Sequence, residues 1–444
     1  PLTQKLMSKQ PILEENDETE NLMFQASQTS DDSTQAERED SDELPNPTKQ
    51  KPWACIFNFV NTSLGSGVLT IPYDLAVSGY VLGTGLCALF AMLSVFSYYM
   101  LIKTANLAHR FQYDLVSNKI FPKWVGIIAV LSSMLFSCGC VISYVIVIRD
   151  NFFFFDDLKD QENVLLYKDL LLAGIMLVLI LPLCFLPNLE SLKFNSYLII
   201  AVILYLAFVC VYTFFDKLSR GEAPHPSVTP LVQSIDFMKA LPLTTQAFNS
   251  QYNFLNLYRE LHSRKKNGKK VVNINIIIIS AIYLVIGIFG YLSYGNTTKP
   301  DILSNLAKEK GFLAKIANVA MILLMVCHYP LPVYSLRKSI ENFCFKTENY
   351  EKKWVSWLIS TAIVVVATVI GMFLDAIDTV LSFTSSLAGG TLGFIIPGLF
   401  NWKLGKMNRN KGDIIKGMLM TVVGFLITGF GFGMAIYQQI VPDK

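Results

Sequence analysis

The side chains that could do chemistry in this 444-residue chain lie inside its apolar runs. Asn61 to Pro72 reads NTSLGSGVLTIP, within a hydrophobic run from about Cys55 to Val77. Gly65, Ser66 and Gly67 sit in the middle of it. Each glycine weakens a helix by roughly 1 kcal/mol. In hydrocarbon that weakening is tolerated only where the freed N–H and C=O groups face protein or a water-filled cavity. A transmembrane helix broken there offers N–H groups to an anion and carbonyls to a cation. The competing reading is a packing interface, since small residues let helices approach closely.

Two further places carry polar groups at membrane depth. The run Ile235–Leu257 holds Thr244, Thr245, Gln246, Asn249, Ser250, Gln251 and Asn253, beginning just after Pro242. Proline removes a backbone donor, so a break is expected near it. His328 stands beside Pro330 and Pro332, and it titrates near neutrality when unperturbed. A proton-coupling role and a packing role are both open to it. No Asp, Glu, Lys or Arg is expected deep within a span, which argues against a relay of charged residues. A site made of helix ends and neutral dipoles suits a zwitterion. Its carboxylate would take the N–H groups of Gly65, Ser66 and Gly67. Its ammonium would take freed carbonyls and oxygens such as that of Thr244. A small or medium neutral amino acid is the physical default. The alternative is that these hydroxyls and amides only glue helices together.

The elements that must position these groups are transmembrane helices. The chain is 52% hydrophobic and 16% charged, against about 25% charged in soluble domains. About eleven apolar runs are each long enough to cross a bilayer. They are Cys55–Val77, Val81–Ile102, Trp124–Ile148, Leu170–Leu186, Phe194–Phe215, Ile235–Leu257, Val271–Tyr294, Ala314–Leu336, Trp357–Leu374, Val380–Phe400 and Ile415–Ile440. Basic loops, with Lys103, Arg110, Arg264, Lys265, Arg337 and Lys406 among them, mark one side as cytosolic. The N-terminus is then cytosolic and the C-terminus outside. Residues 1–51 are polar and acidic and read as a disordered cytosolic tail, with room for cytosolic partners; ETENLM at Glu18–Met23 loosely resembles a sorting signal. Asn296-Thr297-Thr298 is a glycosylation sequon on the outer side. The net charge of +3 is too small for nucleic-acid binding. Membrane lipids surround the spans, no metal set is visible, and the eight cysteines form no disulfide framework.

Several stretches resemble the amino acid/auxin permease superfamily, and within it the system A and N sodium-coupled neutral amino acid transporters and their vacuolar relatives. They are FNFVNTSLGSGVLTIPYDLAVSGY on the first span, SYVIVIRD on the third, ALPLTTQAFNSQYNFLNLYREL on the sixth, FGYLSYG on the seventh and FTSSLAGGTLGFIIPGLF on the tenth. The likeness extends over about residues 52 to 440. It implies an all-α fold like that of the bacterial leucine transporter, with five-plus-five inverted repeats and one extra helix. The repeats would cover 52–216 and 234–402, and the eleventh helix 412–440, all within a transporter domain of 52–444. It also implies that Thr62, Ser63, Leu64, Gly65, Ser66 and Gly67 contact substrate through their backbone. Asn61 matches an asparagine associated with sodium, and Gln246, Asn249 and Gln251 would line an unwound sixth helix. Two positions depart from the pattern. The eighth span reads MVCHYPLP where the sodium-coupled members place a threonine, and Gln251 stands where they place a histidine. His328 therefore makes proton coupling an alternative to sodium.

The function expected is secondary active transport of amino acids by alternating access, coupled to Na+ or H+, without a cofactor. The membrane is the plasma membrane or a vacuolar or lysosomal one. An amino-acid sensor on an endolysosomal membrane, signalling through the N-terminal tail, is the alternative. An anion carrier is disfavoured because no arginine or lysine is expected at the cavity. No nucleophile–base pair or phosphate loop supports an enzyme.

Overall fold

The computed structural model describes residues 50–152, 164–185, 193–232, 235–309, 311–345, 353–374 and 377–440. The tail over 1–49, with ETENLM and any partners, and the VPDK end lie outside these residues. One isolated bridge joins Gln50 to Leu261; the other regular elements among the described residues are helices. Apolar backbone in lipid must satisfy its polar groups within each segment, and the helix does this.

The first span is α1 (Pro52–Ser63) and α2 (Gly67–Ser78). The second is α3 (Tyr80–Ala108), and a short α4 (Tyr113–Ile120) leads into the third, α5 (Lys123–Asp150). The fourth begins as α6 (Val164–Ile175) and continues through a π turn to Cys184. The fifth is α7 (Lys193–Ser219). The sixth is α8 (Ala240–Phe248) followed by α9 (Gln251–Glu260), and the seventh is α10 (Arg264–Tyr294). After the short α11 (Ile302–Leu306), α12 (Phe312–His328) and α13 (Pro330–Phe345) form the eighth. The ninth is α14 (Lys353–Phe373). In the tenth, α15 (Ile377–Thr384) and α16 (Ile396–Met407) are joined through two π turns, Ser385–Gly389 and Thr391–Ile395. The eleventh is α17 (Lys411–Ile440), packed on α16.

By length and apolarity nine described helices can cross a membrane, or ten with the α1–α2 pair. The sixth span completes eleven. It is too polar to stand out by hydropathy, yet every residue of α8 except Leu241 is buried. Large apolar side chains such as Val178, Phe373 and Leu419 are exposed on the outer helices, as lipid contact requires. The protein is a multi-pass integral membrane protein.

Two expectations need correction. The break in the sixth span falls at Asn249 and Ser250 rather than beside Pro242. Pro242 lies in the first turn of α8, where a helix has no use for its N–H. An acid does lie within a span: Asp74, on α2, is 1% exposed. The span is also less uniform than its apolar run implies at the eighth helix, which is interrupted at Tyr329.

Candidate functional site

The centre of the molecule is built from the two broken spans. α1 and α2 meet at 55°. The Leu64 N–H closes α1 on the Val60 carbonyl, and those of Val68 and Leu69 turn to Gly65 and Ser66. The N–H groups of Ser66 and Gly67 remain at the positive end of α2. The close approach needs glycine: a Cβ on Gly67 would lie 2.8 Å from Ala247 Cα on α8. Across from it, α8 ends at Phe248, and its last carbonyls have lost their helical partners. The Tyr283 hydroxyl, from α10, lies 2.8 Å from both Ser63 O and Ala247 O, one carbonyl from each break.

Polar side chains on one side of the breaks bind each other. Ser63 Oγ is 2.8 Å from Ser250 Oγ, which is 2.7 Å from the Tyr98 hydroxyl. Tyr98 also reaches Gln251 Oε1 at 3.2 Å, and Asn275 Nδ2 donates to Ser63 Oγ at 3.3 Å. Here the reading of hydroxyls and amides as glue holds.

The other side faces a cavity of about 20 Å³. Thr62, Ser63, Gly65, Ser66 and Gly67 form one wall, with Gln246 and Asn249 opposite. Phe136, Cys140 and Tyr144 from α5 and Tyr252 from α9 complete it. Gln246 Nε2 donates to Cys140 Sγ at 3.4 Å, and Asn249 Nδ2 to the Gly389 carbonyl at 2.8 Å. Gln246 Oε1 and Asn249 Oδ1 have no hydrogen-bond partner among the described residues. The cavity is therefore lined on one wall by Ser66 and Gly67, whose N–H groups open α2, and on another by two amide side chains whose oxygens are buried without a partner. Donors suit a carboxylate and acceptors suit an ammonium. The volume holds a water-sized group and no more, so spans one and six must part before a larger molecule fits.

His328 ends α12 beside this cavity and is 2% exposed. Its Nε2 is 3.0 Å from the Asn61 carbonyl and its Nδ1 is 2.7 Å from the Tyr144 hydroxyl. The ring thus joins α1, α5 and α12.

Two residues named as substrate contacts lie elsewhere. Leu64 is fully buried and does not line the cavity. Thr244 faces α2, and its Oγ1 donates to Asp74 Oδ2 at 3.0 Å. Asn296 is exposed on the Gly295–Thr297 turn, its side chain open to modification. No cluster of three His, Cys, Asp or Glu side chains gathers to hold a metal among the described residues. Phe136, Cys140 and Tyr144 were missed, although their spacing of four places them on one face of α5.

The family profile described as transmembrane amino acid transporter protein matches residues 48–440. The chain is similar to the amino acid transporter AVT6E of Arabidopsis thaliana, 24% identical over 87% of this chain and 83% of the relative. It is also similar to the sodium-coupled neutral amino acid symporter 2 of Danio rerio, 23% identical over 87% of this chain and 82% of the relative. The backbone matches MhsT in complex with L-phenylalanine with a TM-score of 0.55, at 12% identity, over 86% of this chain and 98% of that one. It matches the Eremococcus coleocola manganese transporter with a TM-score of 0.58, at 12% identity, over 88% and 87%. These structural likenesses speak for the fold, the five-plus-five arrangement with broken first and sixth spans and a helix beyond it. Chemistry at the two breaks and a family match over nearly all of the membrane region converge: the chain belongs to the transmembrane amino acid transporter family.

Proposed function

We propose that this protein carries neutral amino acids across a membrane by alternating access, driven by a coupled cation. The observation that supports this most directly is the pairing of opposed groups in one cavity. Ser66 and Gly67, whose N–H groups at the start of α2 suit a carboxylate, line the same cavity as Gln246 and Asn249, whose buried amide oxygens lack a partner and suit an ammonium. Phe136, Tyr144 and Tyr252 bound the remaining space with rings, which favours an uncharged side chain. The relatives' names, an amino acid transporter and a sodium-coupled neutral amino acid symporter, point the same way.

The coupling ion would act at the α1 break, where Asn61 and His328 meet. A sodium ion takes oxygen ligands, and the Asn61 carbonyl is already bonded to the imidazole. That favours the proton over sodium. Alternating access follows from the two breaks: half-helices hinged at Leu64–Ser66 and at Asn249–Ser250 can tilt without unfolding whole spans. The N-terminal tail faces the cytosol in this reading, and the membrane is plasma, vacuolar or lysosomal.

The test is uptake of a panel of amino acids into proteoliposomes, with sodium and proton gradients imposed separately. Gradient-driven uptake of neutral amino acids is expected. Binding without flux would point instead to a sensor, and neither binding nor flux of any amino acid would remove the proposal.

A further inference from the structure

The contact between His328 and Tyr144 does more than fill space. The Asn61 carbonyl has no proton to give, so His328 Nε2, 3.0 Å away, must hold one and donate it. In a neutral imidazole the other nitrogen is an acceptor, and the Tyr144 hydroxyl donates to Nδ1 at 2.7 Å. The same hydroxyl stands at the cavity. A Cβ placed on Gly65 would come within 2.8 Å of the Tyr144 oxygen, and Tyr144 shares the cavity with Gly65, Ser66 and Gly67. The single phenolic proton thus has two acceptors in reach, the imidazole and a carboxylate resting on the Ser66 and Gly67 N–H groups. It cannot serve both.

Building on the transport reading, we infer that His328 and Tyr144 form a proton-operated switch on the carboxylate half of the substrate site. One proton adds to Nδ1, forming one N–H bond. The imidazolium then donates at both nitrogens, to the Asn61 carbonyl and to the Tyr144 oxygen. The Tyr144 O–H rotates about its C–O bond and donates to the carboxylate of the bound amino acid, whose charge offsets that of the ring. Loss of the proton on the far side of the membrane breaks the Nδ1–H bond and returns the hydroxyl to the imidazole. The carboxylate loses one donor and the amino acid is released. Tyr144 is the binding group here and His328 the positioning group, and one proton accompanies each substrate.

The surroundings leave this pair to act on its own. Among the described residues no charged group pairs with the His328 ring. The titratable groups on the elements packed against α12 include Cys138, Cys140, Tyr144 and Arg149 on α5, Tyr205, Cys210 and Tyr212 on α7, with Asp216 and Lys217 near its end paired to Arg220 and Glu309, and Asp301 at the start of α11. On α13 they are Tyr334, Cys344 and the group Arg337, Lys338 and Glu341, which lie near one another. Arg149 pairs with Asp169, and Asp301 accepts from Asn151. The switch also spans a joint: Asn61 is on the broken first span, whereas Tyr144 and His328 are on α5 and α12. Movement of α1 separates Asn61 from the ring and opens a path for the proton.

The test reads the apparent KM against pH on the substrate side, in proteoliposomes holding the full chain. It uses the neutral amino acid carried fastest in the panel and the α-amide of that amino acid. Acidification should lower the KM of the amino acid roughly tenfold, the scale of one hydrogen bond to a charged group. Over the acid range in which both are ammonium ions, the α-amide should gain nothing. In Tyr144→Phe the KM should be high and flat with pH. His328→Gln, whose amide can donate to Asn61 and accept from Tyr144, should also be flat and should carry no proton current. A Tyr144→Phe protein with the original pH dependence would overturn the switch, and so would an α-amide that gains as much from acid as the amino acid. Uptake driven by sodium and indifferent to pH would overturn it as well, while leaving the transport reading in place. A parent protein that neither binds nor carries any amino acid would fail at the transport reading itself.

Discussion

Thr244 Oγ1 donates to Asp74 Oδ2 at 3.0 Å, across the contact between α8 and α2. The other carboxyl oxygen, Oδ1, has no partner, and no cation pairs with the group among the described residues. A neutral carboxyl in such a place costs far less than an ionised one. The bond fastens α8 to α2, one half of each broken span. Thr244→Val leaves a buried carboxyl without its donor and should destabilise the protein by about 1–3 kcal/mol. Asp74→Asn keeps an acceptor for Thr244 and should cost less. Thermal unfolding in detergent would check the order, and equal losses would show that the bond does not fasten these helices.

Gly67→Val places a branched side chain against backbone, since even a Cβ would lie 2.8 Å from Ala247 Cα. Ala247 belongs to a packed helix and cannot yield as a flexible side chain does. The strain should be about 1–3 kcal/mol, and it falls where the substrate's carboxylate is to be held. Uptake per molecule of membrane-inserted protein should vanish, with Gly67→Ala intermediate. Unchanged uptake in a well-expressed Gly67→Val protein would rule out the broken helix as the site.

Asn249 has two jobs. Its Nδ2 holds the Gly389 carbonyl on the tenth span at 2.8 Å, and its Oδ1 is buried without a partner on a residue that lines the cavity. Asn249→Ala should raise the KM for neutral amino acids roughly tenfold, as loss of an acceptor for a charged donor implies. It should also change which amino acids compete. Identical competition profiles in parent and variant would take Asn249 out of the substrate site.

Asp301 offers a pH effect outside the membrane. Burial raises its carboxyl to about 6, against the lowering effect of the Leu303 N–H and the Asn151 amide. The folded value lies above the ordinary one of 3.8, so the folded protein binds more protons between those two values. Its contribution to stability is full below pH 3.8, falls as pH rises through about 6, and is constant above that. Asp301 caps α11 and binds Asn151 at the end of α5 at 3.0 Å. The protection of the Leu303 amide, with exchange corrected for its intrinsic rise with pH, should therefore fall between mildly acid and neutral pH. Asp301→Asn should abolish that slope, and an unchanged slope would assign it to another group.

Asn296 stands exposed on its turn, with its backbone N–H bonded to Ser227 Oγ at 2.8 Å. Expression in cells that glycosylate should add one glycan that an endoglycosidase removes. Asn296→Gln should migrate like the trimmed protein. If the parent carries no glycan, the assignment of this loop to the outer side loses its support.

How far the sequence could be read follows from what each residue depends on. The first break was legible because two glycines at membrane depth have a cost wherever they stand. The sixth was legible in kind, through its crowd of amides and hydroxyls, but its position was not. Pro242 is harmless in a first turn, and the break at Asn249 and Ser250 serves partners on other helices, Gly389 and Ser63. Thr244 and Gln246 look alike as polar residues on one span, and only the neighbours of α8 send the first to Asp74 and the second to the cavity. Asp74 was within an apolar run and was overlooked as a charge. Tyr144 was within a motif, yet its link to His328 joins residues 184 positions apart, which no local pattern encodes.

The position of the Tyr283 hydroxyl has a consequence for leakiness. It touches the Ser63 carbonyl at the end of α1 and the Ala247 carbonyl near the end of α8, 2.8 Å from each. α10 thereby acts as a yoke: a tilt of one half-helix is passed to the other through a single oxygen. Cutting the yoke with Tyr283→Phe would turn a carrier that ferries solute one load at a time into one that slips.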